Sequence, residues 1–177
     1  MLLILDKDGT LVTAKPDSGT DFPGLNNQIL MPGVKEILVQ NKVMGDEIFV
    51  ASNQGGVHFG HKTIEQAVQE FQELLELLPC IDACFFCPDM NGDLLWRVDT
   101  TGARVICSDR MTRDSLKIES CRKSGSGMHE YIINHECGGK YSKNQVLYVG
   151  DRKEDQDSAA RAGVKFLWVT EWLELKA

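Results

Sequence analysis

Residues 2–10 read LLILDKDGT: four apolar residues, then Asp6 and Asp8 with one lysine between them, then Gly-Thr. The apolar run has strand length and stops at turn-forming residues, the pattern of a short strand buried on both faces. Asp and Gly both suit a solvated turn. A turn alone, however, does not require two like charges at the end of a hydrophobic strand.

The rest of the chain repeats this opening. Leu2 to Leu5, Glu47 to Ala51, Ile81 to Phe86, Gln145 to Val149 and Val164 to Val169 are short apolar runs with polar or glycine flanks, predicted as strands of a mostly parallel sheet. Helical patterns lie between them at Val34 to Asn41, Thr63 to Leu77, Gly127 to His135 and Asp155 to Ala162. In the second of these, Ile64, Ala67, Val68, Phe71, Leu74 and Leu75 recur at three- and four-residue spacings and form one apolar face. Alternating strand and helix predict a doubly wound α/β domain. With no repeat or dividing linker, residues 1–177 read as one domain.

Two segments break the alternation. Thr13 to Pro32 is rich in Gly, Pro, Asn and Asp and reads as a loop. Met90 to Ser120 contains LLWRVDTTGARVIC, a predicted hairpin insertion expected to supply substrate specificity. From Arg97 to Lys123 seven basic residues face four acidic ones, which suits either a solvated surface or anion recognition. Overall the chain carries a formal charge of −7, which disfavours broad, nonspecific nucleic-acid binding. No apolar stretch approaches the roughly 20 residues that span a bilayer. Six irregularly placed cysteines without a secretory leader pattern lead to the expectation of a reducing cytoplasm.

In a doubly wound sheet ligands bind beyond the carboxyl ends of the strands. Asp6 and Asp8 stand there, as do SNQGG at residues 52–56 and GDRKED at residues 150–155. Asp6, Asp8 and Asp151 brought together need a cation, and an all-oxygen set suits Mg²⁺, which in turn favours phosphorylated substrates. Ser52 and Asn53 would add donors for phosphoryl oxygens. Lys123, in CRKSGSGMHEYI, would add the positive charge that draws a phosphoryl group and its nucleophile together.

The ordered set DKDGT, Ser52, Lys123 and GDRKED resembles the four motifs of the haloacid dehalogenase superfamily, over nearly the whole chain. SNQGGV, CRKSGSGM and VGDRKEDQDSAARAGV look most like the branch holding D-glycero-D-manno-heptose 1,7-bisphosphate and histidinol-phosphate phosphatases, with polynucleotide 3'-phosphatases as relatives. Ser124 departs from the proline usual in that branch. The resemblance implies a Rossmann-like fold without a large cap domain. It implies Asp6 as nucleophile, Asp8 as general acid and base, and Ser52 and Lys123 as holders of the phosphoryl group. Asn53 and Arg122 would contact substrate. Asp6, the Asp8 carbonyl and Asp151 would bind Mg²⁺, with Asp155 in support. The expected substrate is a small sugar bisphosphate, with histidinol phosphate or a nucleic-acid 3'-phosphate end as alternatives. A silent phosphate-binding or interaction module is the alternative of another class. No obligate protein partner and no membrane association are expected.

Heptose phosphatases of this branch also carry a structural zinc loop. Here Cys87 and Cys121 keep two of its positions while Asp89 and Glu119 replace the others, and Cys84 and Cys107 could complete a four-thiolate Zn²⁺ site. His58 and His61 read as loop residues or substrate contacts. Trp96 suits either hairpin packing or stacking on a base or sugar.

Overall fold

The computed structural model describes residues 1–175. Its elements run β1 (Leu2–Leu5), β2 (Val12–Ala14), β3 (Gln28–Leu30), α1 (Val34–Val43), β4 (Glu47–Asn53), α2 (Gly55–His58), α3 (Ile64–Leu77), β5 (Ala83–Cys87), β6 (Leu95–Asp99) and β7 (Gly102–Cys107). They continue with α4 (Arg110–Ser115), α5 (Gly127–Tyr131), a π-helical turn (Ile132–Glu136), β8 (Val146–Gly150), α6 (Lys153–Ala162), β9 (Lys165–Trp168) and α7 (Val169–Glu174). Among the described residues, no helix is long and apolar enough to cross a membrane.

Seven strands form the main sheet in the order β7-β6-β5-β4-β1-β8-β9. β1, β4, β5, β8 and β9 are parallel, and β6 and β7 join antiparallel at one edge. All four residues of β1 are buried because both faces of the sheet are covered. Leu3 and Leu5 pack with α1, α3 and α7 through Leu38, Phe71 and Trp172, whereas Leu2 and Ile4 pack with α5 and α6 through Met128 and Ala159. After β1 the chain adds strands on one side, then returns to place β8 on the other. That reversal opens a crevice beyond the ends of β1, β4 and β8.

α3 follows its sequence pattern closely. Its apolar face carries Ala67, Phe71, Leu74 and Leu75 into the core, and its first turn is closed by a capping box in which Gln66 N donates to Thr63 Oγ1 at 3.2 Å and Thr63 N to Gln66 Oε1 at 2.8 Å.

Three expectations change. The Thr13 to Pro32 segment begins and ends in a small ribbon, β2 paired antiparallel with β3. The predicted hairpin forms, but it extends the sheet beyond β5 instead of lying over the crevice. Two basic residues of the inserted segment are paired: Arg97 of the hairpin with Asp99 and Glu136, and Arg113 of α4 with Asp93 at 2.9 Å. Trp96 stacks on Phe86, which stacks on Phe71, with centroids 6.1 Å and 5.1 Å apart. The packing reading of Trp96 therefore holds, and the three rings tie α3 to the sheet's extended edge.

Phe71, fully buried at the end of that stack, is among the largest side chains of the core. Phe71→Ala is expected to destabilise the fold by about 3–5 kcal/mol through lost burial and a residual cavity, read as a lower urea midpoint with an unchanged denaturant slope.

Candidate active site

The turn after β1 is built by the backbone. Asp6 N donates to Val149 O at 2.9 Å, and Lys7 O accepts from Leu11 N and Val12 N at 2.9 and 3.1 Å. Gly9 sits at φ +85°, and a Cβ there would lie 2.3 Å from Asp151 Oδ2. Only glycine permits both the left-handed backbone and this approach of the first loop to the β8 loop. The Asp151 carboxylate is thereby brought beside Asp6.

Lys123 is the centre of the buried charge network. It is 4% exposed, and its Nζ donates to Asp6 Oδ1 at 2.5 Å, Ala51 O at 3.0 Å and Tyr148 Oη at 2.9 Å. Asp155 Oδ1 stands 2.7 Å from the same ammonium. Burial opposes the charge, but Asp6 and Asp155 outweigh it and hold the Lys123 ammonium well above its ordinary range. Asn53 fixes the lysine's backbone, accepting from Lys123 N at 2.9 Å and donating to Lys123 O at 2.8 Å. The Asn53 amide, expected to contact substrate, lines the cleft and also positions Lys123.

Asp155 is also engaged. Its Oδ1 accepts from Tyr148 Oη at 2.7 Å and its Oδ2 from Arg152 N at 3.0 Å. Tyr148, which the sequence marks only as an apolar-run residue, is fully buried and bridges Lys123 to Asp155. His129 packs edge-on against its ring at 4.3 Å. Burial and the Lys123 charge push His129 down to about 3, so the imidazole is neutral there.

Donor atoms of Asp6, Asp151 and Asp155 lie within 4.8 Å of one another. Asp151 Oδ1 is buried without a hydrogen-bond partner. Burial, reinforced by Asp155 and Asp8 and opposed by Lys123, lifts Asp6 from 3.8 to about 7. Four carboxylates (Asp6, Asp8, Asp151 and Asp155) thus face two buried ammonium groups, Lys123 and Lys7, and the half-exposed Arg152 reaches Asp151 only at 3.8 Å. The orphaned oxygen, the all-oxygen donor set and the surplus negative charge fit a hard divalent cation such as Mg²⁺.

Ser52 ends β4, 1% exposed, with its Oγ accepting from Gln54 Nε2 at 3.0 Å. A cleft of about 700 Å³ opens above Asp6, Asp8, Ser52 and Lys123. Its walls come from the β2–β3 segment, the region around α2, Arg122 and the β8–α6 loop, with no residue from Met90 to Ser120. The hairpin, expected to supply substrate specificity, lines no part of this cleft. Arg122 lines the cleft and its Nη1 is buried without a partner. His61 also lines the cleft, whereas His58 does not.

The four-thiolate zinc site does not form. Cys84 and Cys87 are three apart on β5, and an odd spacing in a strand sends side chains to opposite faces. Cys84 belongs to the core under α3, whereas Cys87, Cys107 and Cys121 belong to the opposite core. All six cysteines are free thiols, and Cys87 donates to Asp89 Oδ1 at 3.2 Å. Among the described residues, the Asp6, Asp151 and Asp155 group alone brings three metal-ligating side chains together.

The likeness to known proteins agrees with this geometry. The chain is 25% identical to the histidine biosynthesis bifunctional protein HisB of Campylobacter jejuni over 99% of its own length, yet spans only 44% of that protein. Its backbone resembles D,D-heptose 1,7-bisphosphate phosphatase from B. bronchiseptica, solved with magnesium and phosphate: TM-score 0.66, 22% identity, covering 93% of this chain and 78% of that one. The corresponding enzyme from Burkholderia thailandensis gives a TM-score of 0.52 at 17% identity, covering 92% and 74%. The sequence profile of the polynucleotide kinase 3 phosphatase family matches residues 1–166. With the nucleophile-type aspartate, the lysine and the carboxylate cluster in place over that span, the chain belongs to the polynucleotide kinase 3 phosphatase family, a branch of the haloacid dehalogenase superfamily of phosphatases.

Proposed function

We propose that the chain hydrolyses a phosphomonoester through an aspartyl-phosphate on Asp6. The observation that carries this reading is the pairing of two different carboxylates in one cleft. Asp6 is buried against Lys123 and the carboxylate cluster, whereas the Asp8 side chain is 27% exposed and bound by neither.

Lys123 occupies Asp6 Oδ1, which leaves Oδ2 to attack phosphorus. As the Asp6–phosphorus bond forms, the bond to the departing alcohol breaks, and Asp8 gives that oxygen a proton. Asp8 then takes a proton from the water that attacks the phosphoenzyme. The Asp6–phosphorus bond breaks, inorganic phosphate leaves, and both aspartates return to their starting state. Asp6, Asp151 and Asp155, with the Asp8 carbonyl, would hold Mg²⁺. When bound, it neutralises charge on the carboxylates and on the phosphoryl oxygens. Lys123 and the Ser52 hydroxyl hold the transferring group.

The expected sugar bisphosphate gains support from the cations around the cleft. Lys62, Arg122 and Arg152 all line it, and the unpartnered Arg122 Nη1 suits a second anionic group on the substrate. One observation favours a second reading, the 3'-phosphate end of a nucleic acid: Phe22 and Phe59, 71% and 61% exposed, line the same cleft as bare rings on which a base could stack.

Phosphate release should require Mg²⁺, stop on chelation and return when the ion is restored. Asp6→Asn is expected to lower turnover by more than about a thousandfold while circular dichroism stays native; full activity in that variant would remove Asp6 from the mechanism. Across heptose 1,7-bisphosphate, histidinol phosphate, simple sugar phosphates and 3'-phosphorylated oligonucleotides, the sugar-bisphosphate reading expects the first to be fastest. Fastest hydrolysis of the oligonucleotide, falling steeply with salt, would establish the second reading instead. Arg122→Met should raise KM for a bisphosphate by about tenfold or more, with a much smaller effect on a monophosphate, as expected for loss of one charged contact.

A further inference from the structure

Asp8 is held by a closed ring of side chains that reaches outside the cleft. Lys7, between the two aspartates, is wholly buried; its Nζ donates to Asp8 Oδ1 at 2.6 Å, lies 3.9 Å from Glu70 Oε2 and sits 5.7 Å from the centroid of Phe71. Glu70, on α3, is 3% exposed, and its Oε2 accepts from Lys62 Nζ at 2.6 Å. Lys62 also donates to Gln54 Oε1 at 2.8 Å, and Gln54 Nε2 points to Asp8 Oδ2 at 3.3 Å. Both oxygens of Asp8 are thereby fixed, one through Lys7 and one through Gln54, and Glu70 joins the two arms.

Resting on the phosphatase reading above, we propose that Glu70 is a positioning residue that aims Asp8 at the leaving-group oxygen. A lysine can only donate, so Lys62 fixes the Gln54 amide with Oε1 toward itself and Nε2 toward Asp8. Lys62 is in turn held by Glu70. On the other arm, Glu70 is the second counter-charge for the buried Lys7. Each of the two lysines thus meets a carboxyl partner within the ring, Lys62 at Glu70 and Lys7 at Asp8 and Glu70, which is the condition under which buried charges are tolerated. Without the Glu70 charge, Asp8 becomes the sole counter-ion of Lys7 and is drawn toward it, while Lys62 loses its anchor and Gln54 its fixed orientation. Asp8 then turns away from the cleft although no group that meets substrate has been altered. The Gln28 side chain, which donates to Glu70 O at 2.7 Å, ties this point of α3 to β3.

A misaimed general acid harms esters of poor leaving groups far more than esters whose alkoxide departs unaided. The test compares, in wild type and Glu70→Gln with Mg²⁺, single-turnover release of the alcohol from the best alkyl phosphate of the panel and of nitrophenolate from p-nitrophenyl phosphate. The variant is expected to lose at least about tenfold more rate with the alkyl ester than with the aryl ester, with KM little changed. Lys7→Met, which opens the ring at Asp8 Oδ1, should show the same selective loss and keeps the test intact where Glu70→Gln does not fold. Equal losses on both esters, or no loss, in a folded variant overturn the positioning role and leave the phosphatase reading standing. A wild type that releases neither alcohol overturns both.

Discussion

The buried Lys123 ammonium is the contact on which the site depends. It meets Asp6, Asp155, Tyr148 and the Ala51 carbonyl, drawing together the ends of β1, β4 and β8 and the start of α6. An ammonium so deeply buried is tolerable only when opposite charge and hydrogen bonds replace its water. The carboxylates, in turn, are tolerable together only because of it. Their remaining negative charge suits a divalent cation, so the proposed metal is favoured by charge balance as much as by the identity of the ligands.

From this centre outward, the supporting contacts divide by aspartate. Asp6 is governed from one side of the sheet, through Lys123, Tyr148 and the neutral His129 beneath it. Asp8 is governed from the other side, through Lys7, Gln54, Lys62 and Glu70. Two carboxylates one residue apart thus sit in separate networks. In the proposed mechanism that separation suits one to act as nucleophile and the other to carry a proton, because unlike surroundings push like groups toward unlike roles.

The cleft owes its character to what does not cover it. Only α2 and α3 lie between β4 and β5, and the hairpin is absorbed into the sheet, so access is controlled by short loops bearing Phe22, Phe59 and Lys62 and by Arg122 and Arg152. Exposed rings beside cations form a surface able to discriminate among the parts of a substrate beyond its phosphate.

Local periodicity was enough to determine the five parallel strands and the helices α1, α3 and α6, because a strand buried on both faces and an amphipathic helix leave short-range marks in composition, whereas β2, β3, α2, α4 and α7 left none. Ordered motifs at strand ends were enough to bring out Asp6, Asp8, Ser52, Lys123 and Asp151, since parallel strands carry their carboxyl-end residues to one edge. The separation of Cys84 from Cys87 onto opposite faces followed only once β5 was seen to run through Cys87, beyond the predicted Phe86. Tertiary structure alone decided that Tyr148 and Glu70 matter, because a strand tyrosine and a helical glutamate have no local mark of the partners they meet across the sheet. It also decided that Asn53 holds the Lys123 backbone and that the hairpin extends the sheet. Contacts such as Asn53 with Lys123, 70 positions apart, and Lys123 with Tyr148, 25 apart, are involved, and a linear pattern does not encode which of several compatible surfaces a side chain will reach.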